Sequence, residues 1–180
     1  IELVHADGTR QSFDPGTTNP VLLPNLEAGE YRLRIPGCCE RNPWRTQWYD
    51  RVVDEADALP LTVFEDAFTD ATVRQEAGGA LRGTFVGDDA SVIAGFHVRV
   101  HEADGSLVCG EYDTYWTQGA DFGWPGLADG DYLLSTLLYG QTWWYPGTFL
   151  QGEAGVLTIE GAGTVEGLIW RLPATGVVIR

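Results

Sequence analysis

The side chains able to do chemistry in this sequence are three cysteines, three histidines, a large excess of carboxylates and a crowd of aromatic rings. Cys38, Cys39 and Cys109 form no CxxC pair, so a zinc ribbon is not expected. Two arrangements fit them: in an oxidising compartment Cys109 bridges Cys38 or Cys39 and one thiol is left over, and otherwise all three are buried free thiols. His97 and His101 share one face of a strand, whose rise sets their Cα atoms roughly 13 Å apart, too far for easy chelation of one ion. The GDDA stretch at Gly87–Ala90 and the Asp-Gly turns offer hard oxygens to calcium, but no EF-hand pattern accompanies them. No metal ligand is assigned and no cofactor is expected. No G-x-S-x-G occurs, and Ser106 lies in an Asp-Gly-Ser turn that already accounts for it. With 26 acidic residues, any chosen carboxylate pair says little about glycoside hydrolysis, and a solvated acidic surface is the simpler reading. No catalytic residue is assigned, and the chain is not expected to be an enzyme.

Comparing the chain with itself sorts the aromatic residues. Trp48 and Trp144, Tyr49 and Tyr145, and Thr62 and Thr158 all stand 96 apart; PNLEAGEYRL from Pro24 and PGLADGDYLL from Pro125 stand 101 apart, and ADG at Ala6 and Ala103 stands 97 apart. Landmarks in the same order with small drifts in spacing are what two copies of one unit with altered loops produce. The matched rings, Tyr31 and Tyr132 included, are scaffold. The unmatched ones, Tyr112, Tyr115, Trp116, Trp124 and Trp143, fall in the second copy beside Asp, Gln and Thr. Flat rings among hydroxyl-binding side chains suit a sugar, whose C–H face stacks on the ring, so these five are the candidate ligand-binding residues. The alternative is that several of them fill the core or cover the junction of the copies.

The elements that must position these residues are strands. Phe96, Val98 and Val100 alternate with His97, Arg99 and His101, and Tyr31, Leu33 and Ile35 alternate with Arg32 and Arg34, a period of two. Asp-Gly at the two ADG sites suits tight hairpins, and 23 Gly and 9 Pro punctuate short β-branched and aromatic runs. No amphipathic helix is found, so the expected class is all-β: two tandem β-sandwich units joined near Ala77–Gly79, with a new strand at Ala80–Val86. Residues 1–76 form the first unit, 77–173 the second, and 174–180 a linker or a strand of a neighbouring unit. The second unit opens with ALRGTFVGDDASVIAG before its FHVRVHEADG, whereas the first begins at IELVHADG and lacks that opening strand.

Composition narrows the function classes. The 180 residues carry a formal net charge of −15, which opposes nucleic acid and anionic membrane surfaces, so neither is an expected partner. No apolar run approaches the length that spans a bilayer. Lys and Met are both absent, and the start at Ile1 reads as a processed or trimmed product.

The pattern GGALRGTF…AGFHVRVHEADGSLV…FGWPGLADGDYLL resembles the carboxypeptidase regulatory-like (transthyretin-like) β-sandwich, and WYD…ADALPLTV and WYPG…EAGVLTI resemble its tandem form in secreted and surface proteins of high-GC bacteria. That resemblance implies a non-catalytic spacer or binding module, secreted or at the cell surface, whose partners are neighbouring copies or repeats, polysaccharide or cell wall. Such folds host many functions, so it supplies no catalytic residue. An isopeptide lock is excluded, because it needs Lys. LPATG, from Leu172 and Pro173 to Thr175 and Gly176, matches the sortase signal LPxTG, but the apolar span and basic tail of that signal do not follow it; the other reading is an inter-repeat link matching RQEAGGALRG. The tail GVVIR falls where the opening strand of a further unit would lie, making Val177, Val178 and Ile179 the candidate assembly strand. The expected function is therefore a structural or adhesive repeat module, either assembling head to tail by strand complementation or cut from a longer tandem protein, which would leave the same two ends, with carbohydrate binding as the alternative.

Overall fold

The computed structural model describes residues 1–14, 20–37, 42–87, 97–108, 119–138 and 140–173, together with the main chain of 115–116. The chain is all-β, and apart from single 3-10 turns at Glu55–Asp57 and Gln151–Glu153 its named elements are strands. Among the described residues no helix is long and apolar enough to cross a membrane. β1 (Glu2–His5), β2 (Arg10–Ser12), β3 (Gly29–Ile35), β4 (Gln47–Trp48) and β5 (Leu61–Val63) form one antiparallel sheet in the order β2-β1-β3-β4, with β5 sharing the β4 edge of β3. The rest are β6 (Gly79–Gly87), β7 (His97–Glu102), β8 (Tyr115–Trp116), β9 (Asp121–Leu127), β10 (Gly130–Leu138), β11 (Gln141–Trp144), β12 (Leu157–Ile159) and β13 (Thr164–Leu172). They make two sheets, β11-β10-β7-β8 with β12 on β10, and β13-β6-β9. The two pack into a sandwich over Leu81, Phe85, Val100, Leu134 and Trp170. The opening strand extends one residue beyond its expected span at each end.

The repetition in the sequence recurs bond for bond. In each copy an Asp-Gly turn closes the first hairpin: Thr9 N–H donates to Asp7 Oδ1 and Ser106 N–H to Asp104 Oδ1, both at 2.8 Å. Gly8 and Gly105 sit there at φ 89° and 91°, a conformation in which a Cβ is strained. The Thr9 main-chain amide is the largest cause holding the Asp7 carboxyl down at about 2, and the Ser106 contacts lower Asp104 in the same way. Tyr31 Oη donates to the Glu27 carbonyl and Tyr132 Oη to the Ala128 carbonyl, both at 2.9 Å. Leu3 faces Leu33 as Val100 faces Leu134, and Glu30 faces Thr62 as Asp131 faces Thr158. Trp48 N–H reaches the Val52 carbonyl and Trp144 N–H the Thr148 carbonyl, so the repeated tryptophans start the same turn.

The copies part at the second sheet. β6 is its central strand, carrying β13 parallel on one edge, with Trp170 beside Phe85, and β9 antiparallel on the other, with Trp124 beside Leu81. Gly83 is required at this junction, because a Cβ there would run into the Leu168 carbonyl and the Phe122 ring. In the first copy the segments that match β9 and β13 in sequence, 20–26 and 67–75, form no strand among the described residues. In the second copy both of these strands pair with β6. The inner face of the first sheet, Leu3, Tyr31, Leu33 and Ile35, is instead covered by side chains of Ile1, Phe13, Leu23 and Leu26.

Candidate functional site

The five aromatic residues singled out in the sequence are not gathered by the described structure into one exposed cluster. Trp124 is a correction: alternation along β9 turns Phe122 and Trp124 into the sandwich, leaving Trp124 only 4% exposed and unable to stack on a sugar. Trp143 is half-buried against the same core, and its ring meets Phe149 edge-on at 5.8 Å. The main chain of Tyr115 and Trp116 forms β8, paired with Val98 and His97. Tyr112, the three cysteines, Asp88–Ala90 of the GDDA stretch, and Thr175, Gly176, Val177, Val178 and Ile179 lie outside the described residues. Leu172 of the LPATG motif is the last residue of β13 and fully buried, and Pro173 follows half-buried.

A polar pair in the second copy escaped the sequence reading. His101 Nε2 lies 2.8 Å from Ser135 Oγ, and Nδ1 lies 3.0 Å from the Gly105 carbonyl. A carbonyl only accepts, so Nδ1 carries the hydrogen and Nε2 accepts from the Ser135 hydroxyl. This is the geometry of a serine–histidine dyad, yet His101 is 8% and Ser135 1% exposed, and the imidazole packs on Trp144 at a centroid distance of 4.7 Å. No substrate reaches a hydroxyl so enclosed, and the pair serves to fasten β7 to β10. Burial lowers the imidazole pKa, and the nearby Arg99 cation lowers it further. The signal that could have found the pair is a break in the repeat: His101 stands at the place of Val4, and Ser135 at the place of Arg34.

The arrangement most suggestive of function lies where the first copy departs from the second. A cleft of about 270 Å³ opens between the turn after β4 and the unpaired segment, lined by Gln47, Asp50, Arg51, Thr72, Val73 and Arg74. At the matching place in the second copy the turn touches β13 directly, Arg171 N–H donating to the Pro146 carbonyl at 3.1 Å. In the first copy one buried side chain tethers the segment: Gln47 Nε2 donates to the Arg74 carbonyl at 2.8 Å, and Gln47 Oε1 accepts from Glu76 N–H at 2.9 Å. Arg45 adds an ion pair to Glu76 at 2.5 Å. Ahead of that tether, residues 64–74 are all exposed. Val73 is 36% exposed, whereas Trp170, its match in β13, is at 0%; Phe68 is 88% exposed. Among the described residues the stretch 67–74 joins no sheet, and it bears apolar side chains at its surface. Neither a scan of protein-family models nor a search of curated proteins finds a match to this chain.

Proposed function

We propose that the chain is a non-catalytic structural or adhesive repeat module of an extracellular or cell-wall-associated protein, divided at residues 76 and 77, whose partners are neighbouring copies or repeats of the same fold. The observation that carries this reading is the duplication, register for register, of the pairings of β3 with β1, β4 and β5 in those of β10 with β7, β11 and β12, combined with the lack of a second sheet among the described residues of the first copy. A repeat buries only part of its apolar surface alone and gains the rest from a neighbour. The resemblance to tandem transthyretin-like repeats supports the same assignment. Light scattering of the full chain tests it: mass that rises with concentration is expected, and a single copy at every concentration would contradict the choice of partner.

A second reading, polysaccharide binding, is favoured by one feature, the Trp143–Phe149 pair at the surface of the second copy. Replacing Phe149, which is 40% exposed, by Ala should weaken retention on immobilised polysaccharide without loss of fold. Unchanged retention dismisses this reading.

A further inference from the structure

The cleft in the first copy is a site in its own right, separate from the Trp143–Phe149 pair and from any contact between copies. We propose that it binds a uronate, a sugar carrying a carboxylate, with Arg51 and Arg74 on the carboxylate and Asp50, Thr72 and Gln47 on the hydroxyls. Two residues set the cleft apart from its counterpart. Asp50 and Arg51 make the turn after β4 at φ 62° and 70°, and at the spacing of 96 the second copy has Pro146 and Gly147 there. A Cβ on Gly147 would run into the Arg171 carbonyl, so the second turn lies against β13 with no room for a side chain. The first copy places an arginine at that position, and the cleft of about 270 Å³ separates its turn from Thr72, Val73 and Arg74. Arg45 fastens this turn, its Nη2 donating to the Arg51 carbonyl at 3.1 Å and pairing with Glu76. Left-handed backbone is strained for a side chain such as arginine and free for glycine, so Arg51 is kept there against local preference.

The lining sets the class of ligand. Arg51 and Arg74 bring two guanidinium forks to one carboxylate, a surplus of one positive charge in a chain whose net charge is −15. That surplus matches a single carboxylate, which a planar guanidinium grips through two parallel N–H bonds. A doubly charged phosphate exceeds it and is repelled by Asp50. Among the described residues the Arg74 guanidinium, the Asp50 carboxylate and the Thr72 hydroxyl have no partner, and Arg51 Nη1 reaches Glu76 only at 3.8 Å. Asp50 accepts from sugar hydroxyls, Thr72 accepts or donates, and Val73 offers an apolar surface to the ring. Gln47, buried among them, gives one amide N–H to the Arg74 carbonyl and keeps the other. At about 270 Å³ the cleft falls just below the roughly 300–1,000 Å³ of drug-sized ligand sites, so it takes one ring rather than a long stretch of chain.

The test titrates the full chain with D-glucuronate and follows amide chemical shifts by NMR. Shifts are expected at residues 50–51 and 72–74 and at the Gln47 side-chain amide, saturating in the millimolar range that suits a ligand of one ring. Glucose, which lacks the carboxylate, and inorganic phosphate, which lacks the ring, should each bind about tenfold more weakly or less. Arg51→Gly installs the residue of the second copy and relaxes the turn, so it should weaken glucuronate about tenfold with the denaturation midpoint kept or raised. Arg74→Gln should weaken it similarly with the fold intact, because Gln47 holds only the main chain of that residue. Trigalacturonate separates two sources of the same chemistry: tighter binding than the single sugar assigns the site to a uronic-acid polysaccharide, and equal or weaker binding to a free sugar acid. If glucuronate leaves these amides unmoved, if glucose or phosphate matches it, or if neither variant lowers its affinity, the assignment is overturned. Association between copies is read separately by mass, so this site and the module reading can each fall alone.

Discussion

His101 shows how a single substitution within a repeat changes what the fold responds to. In the first copy Val4 packs with Trp48 and Ala58, and at the matching place the second copy buries a titratable ring against Trp144. The fold holds the neutral imidazole, so the folded pKa lies below the ordinary value of 6.5 and the unfolded chain takes up the proton first. Stability from this group is therefore intact above 6.5 and declines as pH falls through 6.5 toward the lower folded value. Denaturation measured between roughly pH 5 and 7, above most of the carboxylate range, should show this slope, and His101→Val should flatten it. Gln47 offers a second test at this scale. Its amide satisfies one carbonyl and one N–H of the tethered segment from a buried position, so Gln47→Ala should cost about 1–3 kcal/mol in the first copy, read by chemical denaturation.

At the scale of elements, what could be read from sequence is what local pattern encodes. Tyr31, Leu33 and Ile35 alternate with arginines and do form the buried face of β3, because a strand sends successive side chains to opposite sides. The Asp-Gly hairpins were equally plain, since turn chemistry is local. Trp124 was misjudged because the repeat comparison used residue identity: its match, Leu23, is not aromatic, although both positions turn toward a core. Nor does any short stretch announce that 67–75 forms no strand among the described residues while 164–172 does. That outcome depends on β6, a partner far away in sequence, and pairing is not a local property. The tight contact of β6 with β13 makes its own prediction. Gly83→Ala places a methyl against the Leu168 carbonyl and should destabilise the second copy by about 1–3 kcal/mol, seen as a lower denaturation midpoint with the far-UV spectrum retained.

The whole molecule carries one plan twice, and among the described residues only the second copy adds a second sheet. The second copy closes two sheets over a continuous core that includes Phe85, Trp124 and Trp170, while the fully buried apolar face of the first is a short stripe covered by loop side chains. Less buried apolar area means less stabilisation, so urea should unfold residues 1–76 before 77–173, in two steps distinguishable by segment-resolved amide exchange. The most direct measurement of this account is native-state amide exchange on the dilute single copy, comparing 67–74 with 164–171. Fast exchange throughout 67–74 against slow exchange at the alternate amides of 164–171 that face β6 is the expected result. Equal protection of the two segments would mean that the first copy has its own second sheet and that this account of the difference between the copies is wrong.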